Sequence, residues 1–149
     1  MINKIHVTEV YDSDLATVFK QISHHTEFLS GGGLRCQMKQ LGKKEPNGDG
    51  AIREVITPKL TFEEKIFDFK VNQSFSYVII KTTPKKPFKH HKGWIEFKQV
   101  GNQVKVDWHS HFEITVPIIG GVLGWFIKNA ISKVFIGRMK YLKENSEKT

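Results

Sequence analysis

The stretch VKVDWHSHFEI, residues 104–114, decides the fold more than any other part of the sequence. Bulky apolar side chains such as Trp108 and Phe112 alternate in it with polar ones such as Lys105 and Glu113. Successive side chains of a β-strand point to opposite faces of its sheet, so this alternation predicts a strand with one buried face. A sheet that is solvated on one face is typically antiparallel, and its apolar face must be covered by another element.

Five more stretches with a period of two precede this strand, and turn signals such as PNGDG at residues 46–50 separate them. They cover residues 34–39, 51–57, 62–66, 75–83 and 93–100. Six consecutive strands joined by short turns predict an antiparallel meander. The alternation of Ile5 and Val7 with polar neighbours predicts a further strand within residues 2–11.

Helices are predicted on both sides of the meander. Asp14 offers an N-cap for a short amphipathic helix over residues 15–22, and a second short helix is predicted over residues 25–29. Residues 122–144 carry a broad apolar stripe at helical spacing. A helix of that length spans about 35 Å, against a radius of gyration of about 15 Å for the domain. It therefore has to lie across a curved sheet.

Length and composition indicate one globular domain over residues 1–149. Apolar residues make up 39% and charged residues 26% of the chain, which argues against disorder. The net charge of +8 makes a polyanionic partner worth testing, although no nucleic-acid motif matches and no specific nucleic acid is expected. The N-terminus lacks a signal-peptide pattern, which predicts a cytoplasmic protein. The single Cys36 excludes an intramolecular disulfide and a cysteine-based zinc cage.

The order of a strand, two short helices, six strands and a long helix is that of the helix-grip fold, an α+β architecture written β-α-α-β6-α. The residue pattern resembles the START-like, or SRPBCC, superfamily, which includes polyketide cyclase/dehydrase proteins and lipid-transfer domains. The motifs that carry the resemblance are GDGAIRE (48–54), FEEKIFDF (62–69), SFSYVI (74–79), GWIEF (93–97) and VKVDWHSHFE (104–113). The resemblance implies a curved antiparallel sheet wrapped around the C-terminal helix, with an internal cavity for an apolar or amphipathic ligand.

Arg53 and Glu64 are the most informative polar pair. A reversal of two or four residues near Pro58 places Glu64 directly or diagonally opposite Arg53 on the neighbouring strand. Two opposite charges that face an apolar cavity must pair with each other or meet a ligand. Two alternatives stay open: a purely structural cross-strand pair, or the opposite strand phase with Ile52 and Ile56 turned inward.

The walls of the cavity are expected to come from inward-facing strand residues and from the stripe of the last helix. Hydroxyl groups of Tyr77 and Ser110 would orient a ligand there. The predicted ligand-binding residues are Arg53, Phe62, Glu64, Tyr77, Phe97, Trp108, Ser110, Phe112, Ile127 and Ile131. The alternative for the aromatic members of this set is a solidly packed core.

The resemblance implies that the chain binds a small hydrophobic or amphipathic molecule such as a lipid, a quinone or a polyketide-like compound. Binding of this kind would serve to transport or sequester the molecule. The alternative is a cyclase- or dehydratase-like enzyme that uses a cavity carboxylate for proton transfer, with Glu64 or Tyr77 as candidate catalytic residues. No cofactor is expected.

The remaining polar clusters indicate surface roles. The segment PKKPFKHHK, residues 84–92, is predicted to be a loop between strands, and its lysines could touch an anionic membrane. These lysines are Lys85, Lys86, Lys89 and Lys92. The seven histidines form no metal-ligand signature, so no metal site is expected. Cys36 shares a strand face with Leu34 and Met38, which predicts a buried, unreactive thiol.

Overall fold

Side-chain alternation and tight turns divide most of the chain into seven strands. The computed structural model describes residues 1–146. Its strands are β1 Asn3–Tyr11, β2 Arg35–Gln40, β3 Ile52–Ile56, β4 Thr61–Lys70, β5 Ser74–Thr83, β6 Phe88–Val100 and β7 Gln103–Ile114. Its helices are α1 Leu15–Ser23, α2 His25–Phe28 and α3 Gly120–Ser146.

All seven strands form one antiparallel sheet in the order β1-β7-β6-β5-β4-β3-β2. The meander from β2 to β7 follows the chain, and β1 pairs with β7 at one edge, where Ile5 lies opposite Ser110. With the long helix α3 over it, this curved sheet confirms the α+β helix-grip architecture that the sequence pattern predicts.

The alternation within β7 determines which face of the sheet is buried. Trp108 and Phe112 are almost completely buried, whereas Lys105 is exposed. The helix α1 adds Val18, Phe19 and Ile22 to the same core, and Asp14 caps it by accepting a hydrogen bond of 2.9 Å from the Thr17 amide. Apolar side chains from the concave side of the sheet and from both ends of the chain therefore share one core.

The helix α3 packs on the concave face mainly through the side chains of its second half. Phe135 stacks on Trp108 with ring centroids 3.7 Å apart, and the Tyr11 hydroxyl donates to the Met139 carbonyl over 2.9 Å. Towards the start of the helix, Trp125 and Phe126 are largely exposed, at 59% and 61% respectively. The second half of α3 therefore packs against the sheet, whereas a space remains between the sheet and the first half of the helix.

The segment of residues 84–92 differs from its prediction as a loop, because β6 begins at Phe88 rather than at residue 93. Phe88 pairs with Ile114 and His90 pairs with Phe112 on β7. A shift in register between His90 and Lys92 lets the strand accommodate an extra residue there. The lysines of this segment are therefore divided between the turn and the strand.

The long helix does not resemble a membrane span. Within residues 1–146, none of the helices combines the length and the apolar character needed to cross a bilayer.

Candidate functional site

A cavity of about 640 Å³ lies between the concave face of the sheet and α3. Val55 and Phe62 line it from the sheet, and Ile127 and Ile131 line it from the helix. Cavities that hold small molecules usually measure about 300–1,000 Å³ and are mostly apolar with a few polar groups. The volume and the lining of this cavity fit that description.

The mouth of the cavity is marked by lining residues that are exposed to solvent. They are Pro58 and Lys59 in the turn between β3 and β4, and Lys86 and Pro87 in the turn between β5 and β6. Leu123, in the first turns of α3, is partly exposed and also lines the cavity. Two strand turns and the start of a helix therefore surround the opening.

Arg53 and Glu64 lie directly opposite each other on β3 and β4. The Arg53 Nε donates to Glu64 Oε1 over 2.8 Å, and only 1% of Arg53 is exposed. The guanidinium also lies over the ring of Tyr77, 4.6 Å from its centroid. The Arg53 side chain therefore points towards the cavity, and the Glu64 carboxylate pairs with its charge.

His25 belongs to the same cluster, although the sequence provides no reason to select it. Its Nδ1 lies 2.9 Å from Arg53 Nη1, and its Nε2 lies 2.9 Å from the Asn47 carbonyl oxygen. Burial, with the nearby Arg53 charge, lowers the pKa of His25 to about 3. A neutral ring with its proton on Nε2 satisfies both contacts, so His25 accepts from Arg53 and donates to Asn47.

A second polar cluster surrounds Tyr77. The Trp108 Nε1 donates to the Tyr77 hydroxyl over 2.9 Å. His90 stacks on the Tyr77 ring, and its Nε2 lies 3.1 Å from Ser110 Oγ. Burial raises the pKa of Tyr77 and lowers the pKa of His90 to about 4. All four side chains line the cavity and are neutral at physiological pH.

Gly93 makes room for this cluster. It lies opposite Tyr77 on β5 and opposite Ser110 on β7. A Cβ at position 93 would come within 2.2 Å of the Tyr77 ring. A glycine inside a strand often marks such a close approach, and this one lets the Tyr77 ring lie flat across β6.

Most of the predicted ligand-binding residues line the cavity. They are Arg53, Phe62, Glu64, Tyr77, Trp108, Ser110, Ile127 and Ile131. Phe97 and Phe112 are buried elsewhere. Phe97 packs against Phe19, and Phe112 stacks on Phe88. Both share the inward face with lining residues, but their positions along the strands place them in the packed core beside the cavity.

Other reactive groups lie outside this site. Cys36 is buried in the core, and burial raises the pKa of its thiol to about 11, as expected for an unreactive cysteine. In the part of the chain that the structure describes, no cluster of three or more histidine, cysteine or acidic side chains could hold a metal ion.

Comparison with known proteins places this architecture in a family. Residues 4–147 match the family model described as polyketide cyclase/dehydrase and lipid transport. A comparison with curated proteins gives no match.

Several solved structures share the fold at low sequence identity. The protein TTHA0849 from Thermus thermophilus has a TM-score of 0.73 at 12% identity, covering 95% of each chain. A START superfamily protein from Mycobacterium smegmatis has a TM-score of 0.70 at 11% identity, covering 93% of this chain and 98% of its own. The protein XoxI from Bacillus cereus has a TM-score of 0.69 at 15% identity, covering 95% and 94%.

The family match extends over almost the whole chain and includes all of the sheet except the first residue of β1, together with the helix that covers the sheet. The chain therefore belongs to the polyketide cyclase/dehydrase and lipid-transport family.

Proposed function

We propose that the protein binds a small hydrophobic or amphipathic molecule in the cavity between the sheet and α3. The observation that carries this proposal is the cavity itself, about 640 Å³ of mostly apolar space beneath the helix. Protein interiors are packed to crystal-like density and contain few voids larger than a water molecule. Apolar cavities also hold water poorly, so an apolar ligand is the occupant that stabilises such a space.

The geometry supports binding better than catalysis. The Glu64 carboxylate, a candidate proton-transfer group, accepts a hydrogen bond of 2.8 Å from Arg53. Tyr77, the other candidate, has its pKa raised by burial, which disfavours the phenolate needed for a base.

Binding can be tested with Nile red, a neutral dye whose fluorescence rises in apolar surroundings. We expect the wild-type protein to bind it and Ile131→Trp to bind it at least about tenfold more weakly, because the indole fills space that the side chain of Ile131 borders. Ile136→Trp is the matched control, since Ile136 lies on the same helix, is 39% exposed and does not line the cavity.

Two results would contradict the proposal. One is equal binding of Nile red by wild type and Ile131→Trp. The other is an absence of dye binding together with native mass spectra in which the gently purified protein carries no apolar molecule.

We also propose that the mouth of the cavity approaches an anionic lipid surface. Ile118, Val122, Trp125 and Phe126, at and before the start of α3, are each more than half exposed. Lys86 lines the same mouth and is exposed. Exposed apolar side chains beside basic ones are the combination that favours contact with anionic membranes. A ligand taken from a membrane would enter at this point.

A further inference from the structure

The polar cluster around Tyr77 has a defined hydrogen-bond direction. The backbone N–H of Ile79 donates to Nδ1 of His90 over 3.0 Å. A backbone amide can only donate, so Nδ1 carries no proton and the neutral ring carries its proton on Nε2. The contact of 3.1 Å between His90 Nε2 and Ser110 Oγ is therefore donated by the histidine.

The same reasoning applies to the Tyr77 oxygen. An indole N–H can only donate, so Trp108 donates to Tyr77. Ser110 and Tyr77 each carry one hydroxyl hydrogen, and a hydrogen bond between the two groups can use only one of them. Among the described residues, no acceptor is found for the second hydrogen. Since both residues line the cavity, this pair presents at least one free hydrogen-bond donor to a ligand.

The cavity wall offers no uncompensated positive charge beside this donor. Arg53 Nε donates to Glu64 Oε1 over 2.8 Å, and Arg53 Nη1 donates to the neutral His25. A ligand carboxylate at this wall would meet the Glu64 carboxylate without a free cation to offset the repulsion. Lys59 and Lys86 also line the cavity, but both are exposed at its mouth, where solvent and salt screen their charges.

We propose that the ligand is a neutral molecule with a carbonyl oxygen at its polar end, as in a ketone, an ester or a quinone. The carbonyl accepts the free hydrogen of the Tyr77–Ser110 hydroxyl pair, and an apolar chain or ring fills the rest of the cavity. A free fatty acid is disfavoured. This inference rests on the proposed ligand-binding function and narrows the class of ligand.

Three ligands of matched size separate these possibilities: methyl undecyl ketone, dodecanoic acid and tridecane. The ketone and the acid differ only in the group attached to the carbonyl carbon, and the alkane lacks a polar end. In displacement of Nile red at neutral pH, we expect the ketone to bind about fivefold to tenfold more tightly than the alkane, the effect of one hydrogen bond. The acid should bind more weakly than the ketone by at least about tenfold.

Infrared spectroscopy tests the donor directly. The carbonyl stretching band of the bound ketone, labelled with carbon-13, should lie at lower frequency than the band of the same ketone in hexane. This comparison requires no variant. A band at the hexane frequency would show a carbonyl without a donor and would overturn the assignment of the hydroxyl pair.

Glu64→Gln tests the charge balance. Removing the carboxylate leaves Arg53 uncompensated, so the affinity for dodecanoic acid relative to that for the ketone should rise about tenfold over the wild-type ratio. Glu63→Gln is the control, because Glu63 is the adjacent residue of β4, does not line the cavity and pairs with Lys39 and Lys81. Glu63→Gln changes the net charge of the protein by the same amount as Glu64→Gln, but at a position outside the cavity.

The outcomes distinguish this inference from the proposed function. Binding of the acid as tightly as the ketone by wild type, or equal binding of all three ligands, would refute the neutral-carbonyl ligand while leaving a hydrophobic cavity site in place. Failure of all three ligands and of Nile red to bind would refute ligand binding itself. If Glu64→Gln does not fold, the wild-type ligand series and the infrared band still decide the question.

Discussion

At the scale of single residues, the burial of the Arg53 charge is a costly feature of the molecule. Taking a guanidinium out of water costs several kcal/mol unless charged and polar partners replace the lost hydration. Glu64, His25 and the ring of Tyr77 provide those partners. Because each partner comes from a different element, the site depends on the complete tertiary structure.

Gly93 gives the first prediction at this scale. Gly93→Ala should lower the free energy of unfolding by about 1–3 kcal/mol, because its Cβ would overlap the Tyr77 ring and force it from its place. Gly137→Ala, in α3 with nothing within 4 Å of the added Cβ, should instead raise it by about 0.5–1 kcal/mol. Urea denaturation measures both changes, and equal effects of the two substitutions would contradict this interpretation of Gly93.

The buried histidines predict how stability depends on pH. His25 and His90 have pKa values lowered to about 3 and about 4, against 6.5 for an unperturbed histidine. Below about pH 6.5 the unfolded chain binds protons that the folded chain does not, so stability falls as the pH falls towards 4. Above that pH their contribution is fully present.

His90→Gln should reduce the slope of the free energy of unfolding against pH by about 1.4 kcal/mol per pH unit. The reason is that the variant takes up one proton fewer when it unfolds. The free energy of unfolding from urea titrations at several pH values below 6.5 measures the slope. An unchanged slope would show that His90 titrates normally in the folded protein.

At the scale of elements, one arginine connects α3 to the end of α2 and to the segment that follows it. Arg138 Nε donates to the Phe28 carbonyl and Nη2 donates to the Ser30 carbonyl, each over 2.8 Å. Arg138 also lies over the ring of Tyr141. These contacts hold the second half of α3 in place.

Arg138→Met keeps most of the side-chain volume but removes both hydrogen bonds. We expect a loss of about 2–3 kcal/mol in the free energy of unfolding, because two backbone carbonyls lose charge-assisted donors. Lys140→Met, an exposed position on the same helix, is the control and should change stability by less than about 0.5 kcal/mol. Similar losses in both variants would argue against this connection.

At the scale of the whole molecule, the net charge of +8 is less informative than where apolar and basic side chains meet. Lys92 lies on the outer face of the sheet, 5.1 Å from the ring of Trp94, away from the cavity lining. Lys86 instead lies at the mouth, on the same rim of the cavity as the start of α3. Contact with an anionic surface is therefore expected at the mouth rather than over the whole basic segment.

This contact can be measured with phosphatidylcholine vesicles prepared with and without phosphatidylserine. Binding should require phosphatidylserine and fall as salt rises, and a double change of Trp125→Ser and Phe126→Ser should weaken it about tenfold or more. Val100→Ser is the control, because Val100 is 51% exposed at the other end of β6. Equal binding by the double variant and the control would place the contact elsewhere.

The sequence alone predicts the meander of six strands, the inward face of β7 and the long covering helix, because side-chain periodicity is a local property of the chain. It also identifies Arg53 and Glu64 as a pair, since a short turn near Pro58 sets the register between β3 and β4. Such predictions succeed because each depends on residues that are close together in the chain.

Only the tertiary structure decides which inward residues border empty space. Phe97 and Trp108 share the same alternation, but Trp108 lies under α3 beside the cavity and Phe97 packs against Phe19. The sequence also does not select His25, because it meets Arg53 only when α2 packs against the sheet. Local periodicity determines the face of a side chain, whereas contacts between distant segments determine whether that face meets another side chain or a ligand.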